Sequence, residues 1–271
     1  MPLSSYRVLQ IGSGVALDYC GKLFADFGGD VVKLEPPGGD PLRTMPPIVE
    51  GDQSGMFAWL NTNKRSVTES AEAIEALLPG ADLLLDGRSP AEIDASAWSH
   101  DRLRAAYPGL AITGISWFGD TGPYRDLAAT EAVCRALAGL VVLTGPAEGP
   151  PIMATDGQSG VLAGLAAFIA SVAGLYGRAD GARRFTVSLH EATLGVAEYE
   201  WAIAWDAGES RSRPGVNRFG RNYPVGIYPT KQGMIGVTIV TPGQWRAVCA
   251  MLGMPELAAD PRYAINVDRL A

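Results

Sequence analysis

The sequence predicts an α/β protein whose larger domain is built on a doubly wound parallel sheet. Apolar, strand-like runs alternate with segments of helical periodicity along the first part of the chain. The runs are continuously apolar, which is typical of parallel strands that are buried on both faces. We expect strands at residues 6–11, 30–34, 81–85, 110–116 and 183–189.

Helices are expected between these strands, at residues 16–27, 71–78, 101–106 and 190–205. The longest predicted helix runs from Asp156 to Gly181 and is rich in Ala and Gly. A membrane-spanning helix needs about 20 consecutive apolar residues, and the apolar stretch here is shorter. We therefore interpret this segment as a buried core helix and expect no membrane contact.

The composition changes after Trp205, where we place a domain boundary. Residues 206–228 are rich in Gly, Arg, Asn and Pro and are too long for a passive connector, which indicates a functional or interface loop. A strand at 234–240 and a helix at 242–252, capped by Thr241, follow. We thus predict a large domain over 1–205, and over 206–271 a linker loop and the start of a small α+β domain.

Charge and cysteine content narrow the class of protein. The net charge of −7 argues against nucleic-acid binding, which requires a basic surface. The three cysteines are far apart in the chain, so we expect a reduced protein without a zinc site. The first residues lack the pattern of a signal peptide, and we expect a cytoplasmic location.

Three loops leave more than one interpretation open. The turn GSGVAL after the first strand is only a fragment of a dinucleotide-binding fingerprint, because it lacks the third Gly, and the alternative is a tight turn that needs positive φ. The basic turn TNKRS at residues 62–66 is either solvated or in contact with a phosphate. Prolines and a Gly pair predict an extended surface loop at residues 36–47.

Taken together, the chain resembles the family III CoA-transferases and α-methylacyl-CoA racemases. The matching segments occur in the same order along nearly the whole chain, and this series makes the resemblance specific. The segments are FGGDVVKLEPPGGDPLR (27–43), LNTNKRSV (60–67), ADLLLDG (81–87), GISWFGDTGPY (114–124), LTGPAEGPP (143–151), VSLHEATL (187–194), NRFGRNYPVGIYPTKQG (217–233) and TPGQWRAVCAMLG (241–253).

The resemblance implies a Rossmann-like large domain, a small domain and an interlocked dimer, formed with a second copy or with a homologous chain. It implies an acyl-CoA and a carboxylic acid as substrates, with no tightly bound cofactor or metal. In the transferases of this family an Asp carboxylate attacks the thioester, forms a mixed anhydride and passes CoA to a second acid. Backbone amides of a glycine loop stabilise the oxyanion. The racemases instead move an α-proton.

The resemblance also implies site residues, and here the chain departs from the family pattern. The catalytic Asp of the family lies at the head of the long helix, where an alignment without gaps places Gly160. Asp156, one turn earlier, fits the same D-x-x-[AS]-G string, although an Asp there can also be a simple N-cap. Asp156 and Glu131 are the catalytic candidates. The candidate CoA-binding residues are Val15, Ala16, Asn63, Lys64, Arg65 and Arg88.

Other positions also lack the residues that family members carry at the active site. Val15 stands where family members carry Gln, Thr130 replaces a Tyr, and Asp94 replaces an Arg near the CoA phosphates. The main functional hypothesis is CoA transfer from an acyl-CoA through Asp156. The alternatives are an inactive member that serves as a structural or partner subunit, and a repurposed fold with a different ligand.

Overall fold

The computed structural model describes residues 1–49, 51–177, 183–208, 213, 215–218 and 222–270. The chain divides into two compact units. The first comprises Met1–Ala138 and Ala154–Trp201, and the second comprises Gly139–Met153 and Ala202–Ala271. The observed division thus falls at residue 201, and residues 139–153, which lie within the predicted large domain, group with the second unit.

The first unit is organised around a six-stranded sheet in which every neighbouring pair of strands is parallel. Counted along the chain, its strands follow the order 3-2-1-4-5-6, which is that of a doubly wound sheet. The predicted α/β fold class is confirmed. The strands are β1 (Arg7–Ile11), β2 (Asp30–Glu35), β5 (Arg65–Thr68), β6 (Leu83–Asp86), β7 (Ala111–Ser116) and β8 (Arg184–Ser188), and the short pair β3 (Ile48–Val49) and β4 (Gln53–Ser54) lies outside this sheet.

The helices of the first unit cover both faces of the sheet. They are α1 (Val15–Asp26), α2 (Gly55–Leu60), α3 (Ala71–Leu77), α4 (Pro90–Ala95), α5 (His100–Ala106), α6 (Glu131–Leu137), α7 (Gln158–Tyr176) and α8 (Leu189–Gly195), followed by α9 (Glu198–Ala207), which reaches into the second unit. Successive strand residues face opposite sides. In β6, for example, Leu83 and Leu85 pack under α1 and α7, whereas Leu84 packs under α3 and α5.

Helices α1 and α7 approach each other closely because glycines lie at their contact. A Cβ built on Gly164 would lie 2.6 Å from the carbonyl oxygen of Ala16, which is too close for any side chain. By length and mean hydropathy α7 could cross a membrane, but 44% of its apolar window is buried inside the protein. The predicted end of this helix, near Gly181, lies outside the described residues.

Three local predictions are wrong. The helix expected at 190–205 is broken into α8 and α9. The expected surface loop at 36–47 contains a 3₁₀ turn, Pro41–Thr44, whose Leu42 is buried. The expected loop at 206–228 ends in a strand, β9 (Val225–Pro229), which pairs with β10 (Met234–Thr238) in an antiparallel hairpin.

The hairpin is followed by two helices, α10 (Pro242–Met251) and α11 (Pro255–Ala259), and by 3₁₀ turns at Pro261–Tyr263 and Val267–Leu270. The predicted cap of α10 is confirmed, since the Thr241 hydroxyl accepts from the Gln244 amide and the Gln244 side chain accepts from the Thr241 amide. This reciprocal pair satisfies amides that otherwise have no partner at a helix start.

A buried charge cluster lies between β1, β2 and α1. The Asp18 carboxylate accepts hydrogen bonds from Gln10, Lys33 and Asn61, and Lys33 also pairs with Asp40. Asp18, Lys33 and Asp40 are each at most 2% exposed. Buried charges are tolerated only when they are paired in this way.

Candidate active site

A cavity of about 820 Å³ opens where β1, β6 and β7 end. We call it the switch-point cavity, because β1 and β6 are the strands at which the strand order reverses, the usual ligand position in open α/β sheets. Its wall is formed by residues 13–17, 87–90, 115–117, 125–132, 156–157 and 160, with Leu42, Met45, Met56, Glu92 and Leu189.

The start of α1 forms one side of this cavity. Gly14 is the N-cap of α1, with φ of 126°, and no side chain caps the helix. Amides of the first helical turn lack partners within the helix, and the helix dipole makes this end attractive to negative charge. The candidate CoA-binding residues Val15 and Ala16 are the first two residues of α1, and both line the cavity.

Glu131 binds the start of α7, which forms another part of the cavity wall. Its two carboxylate oxygens accept from the backbone amides of Gly157, at 2.7 Å, and Ser159, at 2.9 Å. Arg135 lies 3.8 Å from Glu131 and donates to the side chain of Gln158. Glu131 therefore caps α7 from another helix, and both of its oxygens are engaged.

Asp156 lies at the cavity wall just before this cap. The N-cap of α7 is Gly157, in a left-handed conformation with φ of 94°, and no side chain of the N-cap residue is used. The interpretation of Asp156 as an N-cap is therefore wrong. Its carboxylate is exposed and makes none of the hydrogen bonds or ion pairs found among the described residues.

Gly160 is the position of the family Asp in an ungapped alignment. The space that a side chain at this position would need is occupied by Val15. A Cβ built on Gly160 would lie 2.7 Å from both Cβ and Cγ1 of Val15. Carbon atoms in contact normally lie about 3.5–4.0 Å apart. With Val15 in place, position 160 has no room for a carboxylate.

Arg88 lines the cavity, but its guanidinium is already hydrogen-bonded to neighbouring side chains. It donates to Asp86 at 3.0 and 2.7 Å and to Ser96 at 3.0 Å. Asp86 also contacts His100 at 3.1 Å. Burial opposes the ionised form of Asp86, but hydrogen bonds from His100 and Arg88 keep its pKa below the usual value.

The other three candidate CoA-binding residues do not line the cavity. The Lys64 side chain is 2% exposed, and its ammonium donates to Gln10, Asn61 and the carbonyl of Asp18. Burial lowers the pKa of Lys64 to about 8, although Asp18 opposes this shift. Arg65 is exposed and forms a bidentate pair with Asp30, while Asn63 donates to Asp26.

Sequence reasoning missed several wall residues that are distant along the chain. Leu42, Met45 and Met56 come from the 36–47 segment and from α2, and Trp117 follows β7. Arg125 and Asp126 lie in the loop before α6. Leu42 and Trp117 lie in segments that carry the family resemblance, but no local pattern marked any of these residues as part of a site.

The strand order and the cavity together define an α/β protein that holds a ligand at the carboxyl edge of a doubly wound sheet. Comparison with known proteins identifies the family. The sequence profile of CoA-transferase family III matches residues 3–271, and the chain belongs to this family.

Two curated relatives illustrate the similarity. The succinyl-CoA–D-citramalate CoA-transferase of Chloroflexus aurantiacus is 32% identical over 99% of this chain and 69% of its own length. The formyl-CoA:oxalate CoA-transferase of Streptomyces avermitilis is 32% identical over 99% of this chain and 71% of its own length. The chain thus spans about two thirds of the length of such relatives.

A solved structure shows the same fold. The crystal structure of a CAIB/BAIF family protein from Brucella suis superposes with a TM-score of 0.87 and 27% sequence identity. It is matched over 100% of this chain and 74% of its own length. The family and the fold are therefore established by independent comparisons.

Proposed function

We propose that this chain binds an acyl-CoA thioester in the switch-point cavity and transfers CoA to a carboxylic acid. The observation that carries the proposal is the position of Asp156, a carboxylate without partners among the described residues, on the wall of that cavity. The open amides at the start of α1 support it, because they are suited to stabilise negative charge on a thioester oxygen.

The proposed reaction begins with attack by an Asp156 carboxylate oxygen on the thioester carbonyl carbon. The new C–O bond forms as the C–S bond breaks, which gives a mixed anhydride and CoA thiolate. The thiolate then attacks the Asp156 carbonyl, so that an aspartyl-CoA thioester forms and the first acid leaves as a carboxylate. The second carboxylate attacks this thioester and releases CoA thiolate, which gives a second mixed anhydride. The thiolate then attacks the acyl carbonyl carbon of the second acid, so that the new acyl-CoA forms and Asp156 leaves as a free carboxylate.

Glu131 has a positioning role in this proposal. Both of its oxygens are occupied by the amides of Gly157 and Ser159, so it fixes the turn that carries Asp156. Of the predicted CoA-binding residues, Val15 and Ala16 are proposed to contact the acyl end of the bound acyl-CoA. Arg65 stays our prediction for a phosphate contact, since its side chain is 66% exposed despite its pair with Asp30.

Trapping of the acyl-enzyme tests the proposal. The protein is incubated with butyryl-CoA and hydroxylamine, and mass spectrometry is used to find a hydroxamate. We expect it on Asp156, and we expect Asp156→Asn to abolish it. Asp126→Asn, which changes another wall carboxylate, serves as the matched control and should retain it.

The same experiment addresses a second candidate, a family member that binds CoA without turnover. The contact between Val15 and Gly160 favours this candidate, because it closes the position of the family nucleophile. CoA binding by calorimetry with no hydroxamate would support the second candidate, and the absence of CoA binding would overturn both.

We also propose that the protein is cytoplasmic and pairs with a second copy or with a homologous chain. All three cysteines are free and buried, which suits a reducing compartment. Pairing is supported by the outer face of α7, where Leu165, Ile169 and Tyr176 are 44%, 62% and 90% exposed. Analytical ultracentrifugation of the protein, alone and with a co-expressed homologue, tests the pairing.

A further inference from the structure

The wall of the switch-point cavity carries more acidic than basic side chains. Four acidic residues line it, and the basic residues in the described part of the wall are Arg88 and Arg125. A carboxylic acid is an anion near neutral pH, so an acid that enters this cavity meets a wall of net negative charge. Its binding therefore depends on whether one of the two arginines has donors left to offer.

All three guanidinium nitrogens of Arg88 are engaged. Nε and Nη2 donate to Asp86 at 3.0 and 2.7 Å, Nη1 donates to Ser96 at 3.0 Å, and Nη2 also donates to the carbonyl of Trp98. Asp86 is fully buried, and a buried carboxylate needs its counter-charge. Arg88 therefore serves Asp86 and is not the residue that receives an acid.

Arg125 is engaged at one of its three guanidinium nitrogens. Nη2 donates to Asp94 at 2.7 Å. Nε lies 3.3 Å from a carboxylate oxygen of Asp126, but it makes no hydrogen bond there and is buried without a partner. Nη1 makes none of the hydrogen bonds or ion pairs found among the described residues. Most of the donors of Arg125 are therefore left unused by the fold.

The surroundings of Arg125 suit it to bind an anion. Asp94 does not line the cavity, so its contact holds Nη2 and leaves Nη1 for a ligand. The Arg125 side chain is 32% exposed, which gives a ligand access to it. A charged donor without a partner is costly, and such a group in a folded protein calls for a functional explanation. The planar guanidinium matches the geometry of a carboxylate, to which it forms short, charge-assisted hydrogen bonds.

On these grounds, and resting on the proposed function, we infer that Arg125 binds the carboxylate of the acid that accepts CoA. Nη1 donates to the incoming carboxylate and offsets the acidic residues of the wall. The acid is thereby held on the wall that also carries Asp156, whose CoA thioester it attacks. Because each step is reversible, the acid released in the first half of the reaction uses the same contact as it leaves. Arg125 binds the acid and forms no covalent bond.

Exchange of isotope-labelled butyrate into butyryl-CoA, followed by mass spectrometry on the full chain, tests this inference. In the proposed reaction butyrate is the acid that butyryl-CoA releases, so it is also a competent acceptor. Arg125→Met should raise the KM for butyrate about tenfold or more, as expected for the loss of a charge-assisted hydrogen bond, and should change the KM for butyryl-CoA less than about twofold. Arg125→Lys should recover part of the loss, because it keeps the charge without the planar fork. Arg104→Met, which changes an exposed arginine of α5 outside the cavity wall, should alter neither KM.

Trapping with hydroxylamine separates the inference from the proposed function, because this uncharged nucleophile does not need a carboxylate site. Arg125→Met should still form the hydroxamate on Asp156 while its exchange of butyrate is impaired. If the wild type forms the hydroxamate and Arg125→Met leaves the KM for butyrate unchanged, the inference is overturned and the proposed function stands. An equal rise in both KM values also overturns the inference, because it shows a general distortion of the cavity. If the wild type gives neither hydroxamate nor exchange, the proposed function fails and the inference fails with it.

Discussion

Val15 occupies the space that a side chain at position 160 would need. A Cβ on Gly160 would lie 2.7 Å from Cβ and Cγ1 of Val15, and Val15 is a β-branched residue whose side chain has little freedom to rotate. Helices α1 and α7 meet at this contact, on one side of the switch-point cavity. With Val15 in place residue 160 has no room for a carboxylate, and Asp156, just before α7, is the nearby carboxylate that lines the cavity.

Gly160→Ala should destabilise the protein by about 1–3 kcal/mol through overpacking. In an unstrained helix the same change is favourable by about 1 kcal/mol, so the sign itself is diagnostic. Urea unfolding gives the difference. Gly195→Ala in α8, where nothing lies within 4 Å of the added carbon, is the matched control.

Val15→Ala in the Gly160→Ala background should recover part of that loss, because it removes Cγ1, one of the two Val15 atoms that the new methyl group meets. Strictly additive effects of the two substitutions in a double-mutant cycle would contradict the proposed contact.

Glu131→Ala should cost about 1–2 kcal/mol, since it leaves two amides at the start of α7 without their acceptor. The loss should be visible in urea unfolding and in faster hydrogen exchange at Gly157 and Ser159. Glu75→Ala removes an exposed carboxylate of α3 and should have little effect. Unchanged exchange at both amides would show that Glu131 does not cap α7.

Asp18→Asn should destabilise the protein by about 3–5 kcal/mol. The substitution leaves the ammonium of Lys33, which is 1% exposed, with a reduced counter-charge in the interior. Asp26→Asn, which removes half of the more exposed pair with Lys22, should cost less than about 1 kcal/mol. Equal costs for the two variants would show that the buried cluster does not depend on its charges.

Glu35 should make stability depend on acid pH. Hydrogen bonds from Arg43, and more weakly from Ser66 and the Asp40 amide, lower the pKa of Glu35 to about 2 from 4.5 although burial opposes the shift. Because the folded pKa is depressed, the contribution is full above pH 4.5 and is lost as the pH falls toward 2.

The measurement compares wild type with Glu35→Gln by urea unfolding at several acidic pH values. Wild type should be more stable by about 2 kcal/mol near neutral pH, with the gap closing as the pH falls. The exposed Glu75→Gln should show no such closing gap. A gap for Glu35→Gln that stays constant through the acid range would contradict the assignment.

Much of the fold could be predicted from local patterns. The continuous apolar runs of β1, β2, β6 and β7 exist because both faces of the sheet are covered, so that each strand residue meets a core. The strand β9 was missed because its residues follow a segment rich in Gly and Arg, which has no strand periodicity. The break between α8 and α9 was missed because apolar residues continue across it.

The site was less predictable, because its residues are distant along the chain. The basic turn at residues 62–66 suggested two cations open to a phosphate. Lys64 instead lies within the network around Asp18, which depends on Gln10 of β1, on α1 and on Asn61, the residue after α2. No local pattern distinguishes a lysine that is drawn into such a network from one that is solvated.

The sequence by itself determined the fold class, the family and the two candidates at the head of α7, since these depend on periodicity and on ordered segments. Only the tertiary structure showed what surrounds each of the two candidate positions, Asp156 and Gly160. It placed Val15 against Gly160, gave Glu131 the role of a cap, and left Asp156 exposed on the cavity wall. The reason is physical: space and partners at a residue are set by side chains from other elements, which lie far away in the chain.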